Sequence, residues 1–440
     1  MQKPMRLTRR SLLGAAASAS ALPAAPHAFA QRALITDTIA RPVGAAPKPP
    51  YLIPMFDPVF GTKVTRISDD PGNVMSNIPG GIWGQCVRHH YSLDQAWNAD
   101  QSLLYLDSNA DPDSLPLIGV TGAAANTGYP KSHLFLDGQT YLPKFHRPPP
   151  GGNNADIRWH VSEPSRMYYV HDAEFGLWNP VDNTTEVIQT FSGYSRLLFG
   201  KYKGIQSHDG DYFVFMGKDL SGSDCVFAYR VSTGVKFLDI VSSVNSAQIS
   251  PLGNYIIAVN GDDDTLVYTL NGALVQTWTA PLAGAGSPSH ADVTVDDKGD
   301  EVMFGVGKVN YAGSLVKRRI ADGAYTRLTV ASPPNYGQHC SARNTLLPGW
   351  GFASAPDNGA SYPLYSEMVI AVKLDGSKVV QLCHTRATNI QDNYYSAAAA
   401  SPSPTGDRVI FGSSWGDPNG NGRPVQAYVC DLRGGPGLPT

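Results

Sequence analysis

The sequence is short of charge. Charged residues make up 16% of it, and the 34 Lys and Arg nearly balance the 37 Asp and Glu for a net charge of −3. No stretch gathers Lys and Arg into a stripe, so the electrostatic footprint of a nucleic-acid binder is missing and no nucleic-acid partner is expected. Cysteine is scarce as well. Cys86, Cys225, Cys340, Cys383 and Cys430 are odd in number and far apart, with no C-x-x-C pair. That excludes a disulfide framework and a metal knuckle, while leaving room for one or two bridges in an oxidising compartment. Beyond the first thirty residues no apolar run approaches the roughly 20 residues of a bilayer span, so no membrane span is expected once that segment is removed. The chain also lacks a G-x-S-x-G elbow, an H-E-x-x-H pair and a phosphate-cradling glycine loop.

What is present begins with a targeting segment. Lys3, Arg6, Arg9 and Arg10 precede the Ala-rich run from Ser11 to Ala25, and Ala28-Phe29-Ala30 follows as an A-x-A cleavage site. The pair in Thr8-Arg9-Arg10-Ser11-Leu12-Leu13 has the twin-arginine form, whose route carries folded proteins. Residues 1–30 are therefore read as a twin-arginine signal peptide, and the protein is expected in the periplasm or secreted. Residues 31–50, rich in Pro and Ala and without hydrophobic period, read as a linker, and residues 51–435 as one folded domain.

That domain is rich in both turn formers and strand formers: 44 Gly and 34 Pro in the whole chain, beside 21 Tyr, 15 Phe and 7 Trp. A unit recurs in it, a polar or glycine-containing turn followed by a compact aromatic and β-branched strand. Copies run over residues 100–106, 163–170, 209–215, 251–258, 297–304, 347–353 and 404–411. A spacing of about 45 to 50 residues through the middle suits propeller blades. The fold expected is all-β, a single β-propeller of about seven four-stranded blades, each copy being the turn between a blade's inner and second strands. Thr62 to Ile67 precedes the first full blade and is expected to complete the last one, which would hide both open sheet edges.

In a propeller the inner strands line the central channel, so the residues before each turn are the candidate site. They are Arg88, His89, His90 and Tyr91 in the first blade, Trp159 and His160 in the second, and Gln206 and His208 in the third. Later blades offer His290 with Asp292, then Gln338, His339, Cys340 and Arg343, and last Gln391, Tyr394 and Tyr395. Groups of these types arriving from several blades at one axis would shift one another's pKa values. Asp292 is the one acid that the pattern clearly puts on the axis, too few for a hydrolase with paired carboxylates.

These residues resemble the seven-bladed propeller polysaccharide lyases, the oligogalacturonate and ulvan lyases, and exported propellers like them. The resemblance rests on Gln95 to Asp100, Ser289-His290-Ala291-Asp292, Gly337 to Asn344 with Pro348-Gly349-Trp350, and the last blade through Trp415. It implies a divalent metal ion held between a histidine and a later Q-x-x-H-x-H arrangement. Here His290 matches the first ligand, but Tyr394 and Ser396 stand where histidines would be expected. His290 and His339 remain as candidate ligands of one divalent ion, since zinc accepts imidazole, whereas Cys340, next to His339 on a strand, would point to the opposite face.

The function expected is a carbohydrate-active propeller acting on a polysaccharide or oligosaccharide. Read as a lyase, it would cleave a uronic-acid-containing glycan by β-elimination, with Arg88 and Arg343 neutralising the carboxylate, His290 or His339 as base and Tyr91 or Tyr394 as acid. His89, His90, Trp159, His160, Gln391 and Tyr395 would bind substrate. The alternative is a non-catalytic propeller that binds a glycan, peptide or protein on the same rim, with Trp159, Trp178, Tyr394 and Tyr395 as stacking surfaces.

Overall fold

The computed structural model describes residues 33–107, 133–152, 155–200, 206–240, 244–260, 264–279, 287–308, 311–330, 339–355, 364–387, 396–416, 420 and 422–439. They form a seven-bladed β-propeller. Blade 1 comprises Leu103–Asp107, His133–Asp137 and Pro143–Arg147, with Trp97 bridging Leu104 as its inner edge. Blades 2 to 6 are four-stranded meanders that begin at Asp156, Tyr194, Ser246, Ser289 and His339. Blade 7 joins Ser401–Pro402, Arg408–Ser413 and Val425–Asp431 to a strand from far upstream, Lys63–Arg66.

The closure expected from the sequence is thus present, with Val64 opposite Cys430 and Thr65 opposite Val429. Met55–Phe56 extends the sheet outward, and Cys86–Val87 pairs parallel with Val425 and Gln426, an addition that the antiparallel repeat gives no reason to expect. Residues 33–50, read from composition as a linker, run against the propeller's flank. Ile35 bridges Gln381 on the outer strand of blade 6, and the Pro49 carbonyl accepts from Arg66 Nε.

All seven recurrent turns lie between an inner and a second strand. Six of them share a device, a polar side chain at the end of the inner strand that takes up turn N–H groups. Asn98 accepts from Leu103, His160 from Glu163, Ser207 from Tyr212, Ser250 from Asn254 and Tyr255, Asp296 from Lys298 and Asp300, and Ser403 from Arg408. In blade 6 Asn344 works conversely, donating to the carbonyls of Leu347 and Trp350. Such side chains imitate a backbone turn and satisfy donors that the strand ladder cannot. Glycine follows where the chain turns left-handed. At Gly253, φ is +75° and a Cβ would lie 2.5 Å from the Tyr212 ring.

The core lies between the blades. Blades 2 and 3 meet through Tyr168, Phe175, Phe199, Phe213, Phe215 and Phe227, and blades 4 and 5 through Ile257, Trp278, Val293 and Met303. With both faces of each blade buried, the polar groups that remain inside collect along the axis.

Candidate functional site

The turn caps set the inner strands in register. Four residues before the cap stand Asp94 in blade 1, Asp156 in blade 2 and Asp292 in blade 5. The axis therefore carries two more acids than the sequence pattern showed, and aligning the repeats on their capping side chains would have revealed them. Each acid has an arginine. Arg158 lies 3.1 Å from Asp94 and 2.6 Å from Asp156. Asp292, wholly buried, receives Arg343 on both oxygens, Nε at 2.8 Å and Nη2 at 2.6 Å, and the Ala342 N–H at 2.8 Å. Gln95 reaches from blade 1 to the main-chain oxygens of Arg343 (2.9 Å) and Pro402 (3.1 Å), so side chains span the channel.

The charges act on one another across this channel. Burial opposes ionisation of Asp94, but Arg158 and His90, with Arg343 beyond them, hold its carboxyl well below the usual carboxylate range. His90 Nδ1 contacts Asp94 directly. Burial, helped by Arg343, depresses His208 to about 4. Burial also raises the Asp292 carboxyl, against the pull of Arg343. A bidentate guanidinium and a backbone donor occupy both of its oxygens.

At the other end of the inner strands three rings meet. His290 and His339 have centroids 5.2 Å apart, and Tyr91 sets its ring edge-on to His339, also at 5.2 Å. His290 lies at a register break in its strand and has φ +46°, a left-handed conformation uncommon for a side-chain-bearing residue. Strain of that kind, about 1 to 3 kcal/mol, tends to mark sites where a side chain is aimed for use.

The other expected site residues have different surroundings. Arg88, buried, donates to the carbonyls of Ala397 (2.5 Å) and His89 (3.0 Å). His89 contacts the Ala399 carbonyl at 2.6 Å, and burial together with Arg88 lowers it to about 3, so its Nε2 carries the proton and donates. These two residues tie blade 1 to the chain entering blade 7. Trp159 is packed between blades 1 and 2 with its indole N–H on the Ala96 carbonyl (3.1 Å), and Trp178 is wholly buried in the same cluster. A stacking surface must be open, and these indoles fill core volume instead. His160 caps its turn and stacks on Tyr168, at the opposite end of the inner strand from His290. Gln206 donates to the Trp159 carbonyl (3.1 Å). Gln338, Gln391, Tyr394 and Tyr395 lie outside the described residues.

For a metal, His290 and His339 supply two neighbouring imidazoles. Cys340 faces away into the packing between blades 5 and 6, where burial pushes its thiol far up. Among the described residues no three His, Cys, Asp or Glu side chains form a metal-binding group.

No family model matches the chain, and no curated protein matches it. Among solved structures the chain is similar to the WD40 domain of Neurospora crassa Pan2, at 10% identity and a TM-score of 0.47, over 83% of this chain and 95% of that one.

Proposed function

We propose that this propeller recognises an oligosaccharide at the end of its axis where Tyr91, His290 and His339 meet. The observation that carries the reading is the convergence of these three rings from separate parts of the chain, with His290 held in a left-handed conformation. Tyr91 and His290, both partly exposed, suit a sugar, offering ring faces to its C–H groups and a hydroxyl and ring nitrogens to its hydroxyls, while the buried His339 ring backs them. The Asp–Arg contacts on the same inner strands tie blade 1 to blade 2 and blade 5 to blade 6, so that little order need be gained on binding.

Cleavage by β-elimination is the second reading, favoured by the strain at His290 and by the resemblance of the repeats to propeller lyases. In that reaction His290 or His339 removes the C5 proton of a uronate, the C4–C5 double bond forms as the C4–O bond breaks, and Tyr91 protonates the departing oxygen. A cation must offset the uronate carboxylate meanwhile. Arg343 is already bound by Asp292 and Arg88 by backbone carbonyls, which places recognition ahead of cleavage.

Calorimetry with uronic and neutral oligosaccharides, beside the ultraviolet absorbance of an unsaturated uronate, tests both readings. His290→Ala and His339→Ala should each weaken binding at least tenfold with little change in melting temperature. Early melting of both, with wild-type affinity in the protein still folded, would make these histidines structural. Export by the twin-arginine route belongs to the same proposal and rests on Arg9 and Arg10. Replacing both by Lys should abolish periplasmic accumulation, because the pair is read as an address rather than as bulk charge.

A further inference from the structure

Of the five cysteines, two come together at the seam where the ring closes. Cys383 lies on Val379–His384, the outermost strand of blade 6, and Cys430 on Val425–Asp431, the third strand of blade 7. Both are wholly buried, in the packing of these two blades with Val64, Val369 and Val409. Residues opposite each other in a ladder share a face of the sheet. Cys383 stands opposite Val369, and Cys430 opposite Val64 and Val409, so each thiol is on the face that its blade turns towards the other. The upstream segment fixes the approach. Thr62 Oγ1 donates to the Leu382 carbonyl at 2.5 Å, and the His384 N–H donates to Asp57 Oδ2 at 3.1 Å. The chain on either side of Cys383 is thus tied to the stretch that runs on to pair with Cys430.

The approach extends to the sulfurs themselves, for the Cys383 thiol has the Cys430 side chain as a hydrogen-bond partner. Burial first, and Cys430 after it, push the Cys383 thiol far above its ordinary range, so that it is protonated and inert while the seam is shut. Cys225 and Cys340 lie apart from this pair, in the packing of blades 2 and 3 and of blades 5 and 6.

We propose that Cys383 and Cys430 are oxidised to a disulfide that locks blade 6 to blade 7, by exchange with a disulfide-bearing oxidant of the oxidised-glutathione class, when the seam opens locally. One cysteine thiolate attacks a sulfur of the oxidant, expelling one of its thiolates and leaving a mixed disulfide. The second cysteine thiolate then attacks the protein sulfur of that mixed disulfide and expels the other thiolate. Two electrons pass from the pair to the oxidant, and the two protons end on its thiols. The bridge closes the loop from 383 to 430 and holds the seam across which the upstream strand completes the ring. Its setting in the cell rests on the export reading, since thiols stay reduced in the cytoplasm, but its chemistry does not.

The test takes the intact chain, purified reduced, and incubates it with oxidised glutathione in urea below the unfolding midpoint, which lets seams open without unfolding the ring. Free thiols are then blocked and tryptic peptides mapped. The peptides carrying Cys383 and Cys430 should be joined, with three of the five thiols left free. The oxidised chain should melt about 2 to 4 °C above the reduced one, and dithiothreitol should reverse the shift. Cys383→Ala and Cys430→Ala should each abolish the joined peptide, while Cys225→Ala keeps it. Five free thiols, glutathione left on either cysteine, a bridge between another pair, or no rise in melting temperature would each overturn the proposal. Should either seam variant fail to fold, the map of the unaltered chain and of Cys225→Ala decides it. A chain that bridges in this test yet is not exported keeps the disulfide and loses the export reading, and an exported chain that never bridges does the reverse.

Discussion

Deleting residues 51–70 should unfold the propeller or leave it barely stable. Three side chains of that segment enter three different parts of the core: Phe60 the packing of blades 5 and 6, Val64 that of blades 6 and 7, and Ile67 that between blades 7 and 1. Each is at most 2% exposed. Burial of such a side chain contributes about 1.5 to 3 kcal/mol, so the three together supply about 5 to 9 kcal/mol. Loss of the strand also bares the ladder edge of Val425–Asp431 and the Leu382 carbonyl that Thr62 caps at 2.5 Å. Whole domains are stable by only about 5 to 15 kcal/mol, so the deletion removes a large part of the total. Val64→Ala is the graded version and should cost about 2 kcal/mol, for two methyl groups and the cavity they leave. Both are read from thermal and urea unfolding beside the intact domain. A deletion variant that melts at the same temperature as the intact domain would refute the closure argument.

Three more outcomes are expected. Arg343→Ala should cost about 3 to 5 kcal/mol in urea unfolding by leaving Asp292 buried and unpaired, and adding Asp292→Ala should recover part of the loss. A double-variant cost equal to the sum of the two single costs would mean that the pair is not coupled. His290→Gly should melt at or above the wild-type temperature, since glycine accepts φ near +46° without strain, while glycan affinity falls at least tenfold. A lower melting temperature would show that the imidazole itself supports the fold. His89, near 3 when folded against about 6.5 when unfolded, makes the unfolded chain bind the extra proton. Its share of the pH dependence is therefore a stability that falls as pH drops from about 6.5 towards 3, and His89→Gln should flatten that slope in melts taken across this range.

Much of the fold could be read from the chain because its punctuation is local. A capping Ser, Asn or Asp at the end of an inner strand, a left-handed glycine and a short apolar strand all act within about ten residues, so the repeat survives as a pattern. The candidate site was legible only in part. His290 and His339 stood out as histidines at equivalent places, and the structure does bring them together with Tyr91. Arg88, His89 and Trp159 sit in the same stretches, yet their side chains go to backbone carbonyls and core packing. Residue type and spacing give a side chain's position along its strand. They do not give what stands opposite it.

By itself, then, the amino-acid sequence determined the strand-and-turn repeat, the near-neutral surface and the placing of polar residues at the ends of inner strands. Tertiary structure alone decided which of those residues are consumed by one another. Asp292 meets Arg343 from 51 positions away, Asp94 meets Arg158 from the next blade, and Asp57 meets Arg386 across more than 300 residues. These pairs depend on the ring having closed, because only then do inner strands from separate blades face one axis and the upstream segment lie against blades 6 and 7. A charge buried in that setting must find a partner, and the partner is fixed by the distance between strands rather than by the distance along the chain.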